Sequence, residues 1–367
     1  MWHRLVPERH NSYVRVMNHH AVILALLSAA LFGVSTPAAK ALLGSIDPTV
    51  LAGLLYFGAG LGVAILRRIA RTWITPASAA ETPLSSTDIP WLAGAIVAGG
   101  IVGPVLLMAG LARTDAATAS LLLTLEGVAT ALLAWFVFRE NFVQRIAIGM
   151  ACLLAGAVVL SWSGTPTVAG LTGPLVIAGA CVAWGLDNNL TRKVSLADPL
   201  QIVELKGLIA GPVNLALGLW LGGSLPPFSP LVLAGLVGFL GYGVSLVLFV
   251  FALRHLGTAR TGAYFSTAPF LGATAAVLFL GEAVTIQLGI AGLLMALGVW
   301  LHLTEIHEHE HEHDLLEHAH PHVHDAHHQH AHELGTPPGE PHTHTHRHVR
   351  LRHKHSHVPG MHHTHRH

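Results

Sequence analysis

Residues 21–303 read as ten apolar runs, each separated from the next by a short polar break. Their bounds are 21–43, 48–69, 91–111, 115–138, 143–163, 170–190, 199–221, 230–253, 258–280 and 284–303. A helix needs about 20 apolar residues to cross the hydrocarbon core of a bilayer, so each run predicts one transmembrane helix. The breaks leave no room for a soluble domain. After residue 303 the pattern stops, and no apolar periodicity remains to build a core. The pattern therefore predicts an all-α polytopic membrane protein with a short N-terminal segment, 1–20, and a disordered tail, 304–367.

The apolar part reads twice. Shifting the chain by 142 residues lays Leu111 on Leu253, Gly127 on Pro269 and Glu140 on Glu282. A shift of 152 lays Leu31-Phe32-Gly33 on Ala183-Trp184-Gly185. This divides the chain into a first repeat at 21–163 and a second at 170–303, each with five spans. Internal duplication in an apolar chain points to a carrier built from two related halves around a central site.

Composition sharpens the class. Apolar residues are 52% and charged residues 11% of the chain, and mean hydropathy is +0.54 even with the polar tail included. A soluble domain of this size needs far more surface charge. Arg4, Arg9 and Arg15 precede a first span too long for a cleavable signal. Cys152 and Cys181 sit inside apolar runs as small hydrophobes. Gly58-Ala59-Gly60-Leu61-Gly62 has neither a strand before it nor an acid after it, so it reads as close-packing glycine. No nucleophile–base set or phosphate loop is present, so an enzyme is not expected.

The basic residues predict orientation. Arg67, Arg68 and Arg71 follow the second span, Arg139 and Arg145 the fourth, Arg192 and Lys193 the sixth, and Arg254 and Arg260 the eighth. In the opposite loops Arg113 is the clear exception, and 161–170 and 221–230 carry no charge. The positive-inside bias places both termini in the cytoplasm of a cell (inner) membrane protein. With five spans per half the second half enters inverted: the basic 67–71 corresponds to the uncharged 221–230.

On these residues the chain resembles the drug/metabolite transporter superfamily in its ten-helix EamA-type branch. The resembling segments are Ala29-Ala30-Leu31-Phe32-Gly33 through Lys40, Leu111-Ala112-Arg113-Thr114, and Leu125-Glu126-Gly127 followed by Glu140. The second half keeps Pro269 and Gly281-Glu282 but has Ala268 where the first has Glu126. The resemblance implies a permease fold over 21–303 and names no cargo.

Ionisable groups at membrane depth are costly, so their positions mark candidate sites. Glu126 is about eleven residues from either end of its span, or roughly 17 Å deep at ~1.5 Å per residue. It is the candidate proton-coupling or substrate-binding carboxylate, against a packing role. Asp187, Asn188, Asn189, Glu204 and Lys206 form the second candidate group, either lining the pathway or stitching two helices. Asp187 and Lys206 lie at similar depth on adjacent antiparallel spans and are predicted to pair. Glu204 and Lys206 point to different faces. Lys40 is expected to snorkel outward, and Glu140 and Glu282 to cap or pair at helix ends. Asn214 and Tyr264 are expected to bond between helices, with a place on the pathway as the alternative. Trp184 and Tyr56 read as packing aromatics.

The tail holds 23 of the 29 histidines, many alternating: His307, His309, His311, His313, then His318, His320, His322, His324. Alternating imidazoles suit Ni, Zn, Co or Cu, and the tail is the candidate metal-binding element. Acidic residues concentrate before Glu340 and basic ones after it, so the tail is expected to fold back on itself loosely. A metal site among the spans would draw on Glu126, Asp187 and amide oxygens, a hard set poorly matched to nickel or copper. The expected activity is proton-coupled export of a small metabolite or drug-like solute by alternating access. A divalent-metal carrier and a non-transporting membrane metal sensor stay open. Expected partners are a small-molecule substrate, membrane lipid and divalent metal on the tail, with no nucleic acid and no required cofactor; a homodimer is left open.

Overall fold

The structure is a computed structural model that describes residues 7–73, 84–137, 144–162, 168–194, 198–256 and 258–304, and in the tail 307–312, 316–322, 342–348 and 352–357. Among the described residues ten helical spans are long and apolar enough to cross a membrane: His20–Leu42, Pro48–Ile69, Ile89–Leu111, Ala116–Phe136, Gln144–Ser161, Gly170–Thr191, Leu200–Trp220, Phe228–Ala252, Thr261–Leu280 and Ile286–Leu303. Each begins and ends within three residues of its predicted run. The chain is a multi-pass membrane protein.

Six spans are single helices: α1 (Pro7–Leu42), α2 (Pro48–Trp73), α7 (Gln144–Ser161), α8 (Val168–Arg192), α9 (Pro199–Trp220) and α14 (Ile286–Leu303). The other four are interrupted, and the interruptions come in matched positions. The third span joins α3 (Ile89–Ala95) to α4 (Gly103–Leu111) through a π-helical turn at Ile96–Val102. The eighth joins α10 (Phe228–Gly238) to α11 (Ser245–Leu256) through another at Phe239–Val244. The fourth breaks between α5 (Ala116–Leu122) and α6 (Leu125–Phe136), and the ninth between α12 (Thr258–Phe265) and α13 (Ala268–Leu280). At both breaks a threonine hydroxyl donates to the carbonyl three residues back, Thr124 to Leu121 at 2.8 Å and Thr267 to Tyr264 at 2.6 Å. These hydroxyls satisfy backbone that lipid cannot.

Glycine sets how closely the helices approach. A Cβ on Gly60 would lie 2.6 Å from the Gly207 carbonyl carbon, and one on Gly53 2.5 Å from Leu215 N, so the second and seventh spans meet backbone to backbone. Gly33 presses on Ala268 and Gly272, while Gly185 presses on Ala129 and Thr130. The first span thus meets the ninth as the sixth meets the fourth, which are the pairs related by the 152 and 142 shifts. Gly149 and Gly298 bring the fifth and tenth spans together, where His302, a histidine inside the tenth span, reaches the Ile146 carbonyl at 3.1 Å.

In the tail, β1 (His307–Glu312) pairs antiparallel with β4 (Arg352–His357), and β2 (Leu316–His322) with β3 (His342–His348). The tail was expected to lack fixed structure and only to fold back loosely. The paired segments have a local reason: alternation with period two suits a strand, and the acidic arm lies along the basic arm. His313 and His324 lie outside the described residues.

Candidate functional site

The matched interruptions converge on the middle of the bundle, and the candidate chemistry gathers there. The break in the fourth span places Glu126 in the first turn of α6, where backbone N–H groups favour negative charge. Its Oε1 accepts from Asn188 Nδ2 at 2.8 Å, and the same amide donates to Thr130 Oγ1 at 3.2 Å. Thr130 donates its own hydroxyl proton to the Glu126 carbonyl at 2.8 Å. Among the described residues no Lys, Arg or His pairs with the Glu126 carboxyl. It is a partly buried acid held by an amide alone.

One residue before Asn188 on α8, Asp187 has the opposite arrangement. Lys206 Nζ lies 2.6 Å from both carboxylate oxygens, and Thr191 Oγ1 adds a third bond at 2.8 Å. The pair predicted from depth is formed. It also explains Gly99 in the π turn, because a Cβ there would collide with the Asp187 carboxylate. A π turn shifts the helical ladder by one residue and frees carbonyls inside the span. The freed Gly99 carbonyl accepts from Tyr56 OH at 2.8 Å and Trp184 Nε1 at 2.9 Å, and the Gly100 carbonyl from Asn214 Nδ2 at 2.9 Å. Tyr56 then continues into a row of rings: Tyr242 at 5.7 Å, Phe32 a further 5.7 Å from Tyr242, Phe265 5.3 Å beyond, and Phe249 5.0 Å from Phe265.

The remaining candidates are used elsewhere. Asn189 is 3% exposed and donates to the carbonyls of Thr130 at 3.1 Å and Gly185 at 2.8 Å, which stitches the sixth span to the fourth. Glu204 takes Arg67 Nη1 at 2.7 Å while Asp198 takes Nη2 at 2.8 Å, tying the second span to the start of the seventh. Glu204 and Lys206 therefore serve different partners, as their spacing implies. Tyr56, Trp184, Thr130 and Thr191 were not among the sequence candidates. For Tyr56 and Trp184 the sequence signal is the Gly99-Gly100 pair shortly before Pro104; Thr130 and Thr191 carry none.

One end of the bundle is latched. Lys40 does not snorkel: its Nζ donates to the carbonyls of Leu111 at 2.7 Å and Thr114 at 2.9 Å, capping the open end of α4. Glu282 accepts from Ala116 N and Ala117 N, both at 2.7 Å, capping α5 from the turn after the ninth span. Just inside, a Cβ on Gly272 would meet Ser120 Oγ at 2.9 Å. At the other end the counterpart of Ser120 is Gly262, where a Cβ would meet nothing within 4 Å, and the same holds for Gly127 beside Glu126. Glu140, the counterpart of Glu282, lies outside the described residues.

The EamA-like transporter family matches residues 19–162 and again 171–304. The chain belongs to this family. A curated relative, described as an uncharacterized transporter of Methanothermobacter thermautotrophicus (strain Delta H), is 28% identical over 306 residues, which span 80% of this chain and 88% of the relative. A solved crystal structure covers 77% of this chain and 96% of its own at 20% identity with a TM-score of 0.55, a likeness of fold alone. In this EamA-like chain the two family matches bracket the two sets of interrupted spans, so the break, the π turn and the central acid fall within the matched residues.

Proposed function

We propose that this EamA-like permease exports a small metabolite or drug-like solute from the cytoplasm in exchange for protons, by alternating access between two inverted halves. The observation that carries the reading is Glu126: an acid at a mid-membrane helix break, one oxygen on an amide, with no basic partner among the described residues. Such a carboxyl can exchange a proton for a solute, whereas an acid already neutralised by a cation has little to exchange. Asp187 is of the second kind, and with Lys206 it anchors the sixth span to the seventh beside the site. The basic loops support a reading with both termini in the cytoplasm of the inner membrane, and on that reading the latch made by Lys40 and Glu282 is the external gate. Contact at Ser120–Gly272 against open space at Gly262 supports a state closed outside and open to the cytoplasm.

The occupied Asp187 weighs against a bare divalent metal as cargo, since of the two neighbouring carboxyls at the site it leaves only that of Glu126 without a cation. The test is proton movement in proteoliposomes containing the full chain, a version ending at Thr304, or Glu126→Gln, challenged in turn with amino acids, drugs and divalent metals. Solute-evoked proton movement that needs Glu126 and not the tail supports the reading. Metal-evoked movement that needs Glu126 replaces it with a metal carrier, and no solute-evoked movement with intact metal binding replaces it with a sensor.

A further inference from the structure

The tail carries a second, independent arrangement that does not depend on what the spans transport. In the first ribbon the register sets His307 opposite His357, His309 opposite His355 and His311 opposite His353. The intervening positions set Glu310 opposite Lys354 and Glu312 opposite Arg352. In the second ribbon His318 faces His346, His320 faces His344 and His322 faces His342, with Glu317 opposite Arg347. Successive strand residues alternate between faces. Histidines therefore occupy one face of the first ribbon throughout, and on its other face two of the three pairs oppose unlike charges while Glu308 faces Ser356.

We propose that each ribbon is a ladder of divalent-metal sites built across the two arms of the tail, each site taking imidazoles from both strands. Directly opposed residues in an antiparallel pair have Cα atoms roughly 4.5–5.5 Å apart, close enough for two imidazoles to share one ion. Residues two apart on one strand are roughly 7 Å apart, so two successive pairs supply up to four nitrogens. That donor set suits nickel, cobalt, zinc or copper and rejects magnesium and calcium. The arms are far apart in sequence, so ions bound this way close the tail. A two-stranded ribbon is marginal in water by itself, and a ligand that binds only the paired form shifts the balance toward it. The opposed charges select the register before metal arrives. His307, His309, His311, His318, His320 and His322 are then half of each site, and His342, His344, His346, His353, His355 and His357 are the other half.

The test is nickel titration of the full-length protein in detergent against a competing chromophoric chelator, with magnesium as control. Three variants are compared: the triple His307→Asn/His309→Asn/His311→Asn, the triple His353→Asn/His355→Asn/His357→Asn, and the two combined. Cross-strand sites predict that either triple removes the same nickel equivalents and that the combination removes no more than either alone. Losses that add in the combined variant mean that each arm binds metal alone and overturn the proposal. Tight magnesium binding of equal stoichiometry overturns the imidazole assignment. As a second reading, Lys354→Glu should weaken nickel binding several-fold and Glu310→Lys should restore it; failure of the swap to restore contradicts the register.

Discussion

The two halves repeat a geometry and differ in chemistry. Both have a π turn before a broken span, a threonine closing the break, and a glycine on a partner helix pressed against the segment that follows. Yet the first half places Glu126 at the break, and the position related to it by the 142 shift in the second half is Ala268, which is 1% exposed. The pressed glycines show the same divergence in detail: Gly33 meets Ala268 itself, whereas Gly185 meets Ala129 and Thr130 and leaves the Glu126 carboxyl to Asn188. Duplication supplies two similar walls, and one substitution leaves a carboxyl on one wall and a buried methyl on the other.

The sharpest way to break this comparison is to disturb the neutralised acid rather than the lone one. Asp187→Asn leaves the partly buried Lys206 without its counter-charge and should destabilise the chain by about 3 kcal/mol, with Lys206→Met restoring most of the loss. Thermal unfolding in detergent measures it, and a wild-type melting temperature for Asp187→Asn would place the pair outside the structural framework. Next come the glycines. Gly33→Ala and Gly185→Ala push a methyl into backbone and should each cost roughly 1–3 kcal/mol. Gly262→Ala meets open space in this state and should be neutral or stabilising by up to about 1 kcal/mol from helix propensity. Equal costs at Gly33, which packs on Ala268 and Gly272, and at Gly262 would mean that the ends of the bundle are not asymmetric. A smaller effect is expected at the latch. Glu282→Ala removes the carboxylate that caps α5 and should cost about 1 kcal/mol. It should also raise labelling of a cysteine introduced near Thr114, and unchanged labelling would show that the cap does not hold that end closed.

Much of this was legible in the sequence because membrane helices obey a coarse rule. Hydrophobic length gave ten spans to within three residues, and helical rise alone was enough to pair Asp187 with Lys206. Lys40 was not legible, since its acceptors are carbonyls 71 and 74 residues away and nothing in an apolar chain marks a carbonyl as unpaired. Tyr56 and Trp184 were set aside for the same reason: their shared acceptor exists only because the π turn frees Gly99 O. Side chain to backbone bonds across spans depend on tertiary placement, whereas charge pairs and glycine contacts leave residue types to read. In the tail the excess of acid in one arm and base in the other was legible, while the His-on-His register required the strands.

The central claim is that Glu126, which lies at a helix break with no basic partner among the described residues, couples solute to proton. Glu126→Gln tests it most directly, because a glutamine oxygen still accepts from Asn188 and the fold should be unchanged. In proteoliposomes with an imposed pH gradient, the account predicts a wild-type melting temperature, solute-driven proton movement reduced by about 100-fold or more, and residual solute flux that no longer responds to the gradient. Proton-coupled flux that persists in Glu126→Gln at near wild-type rate would contradict it.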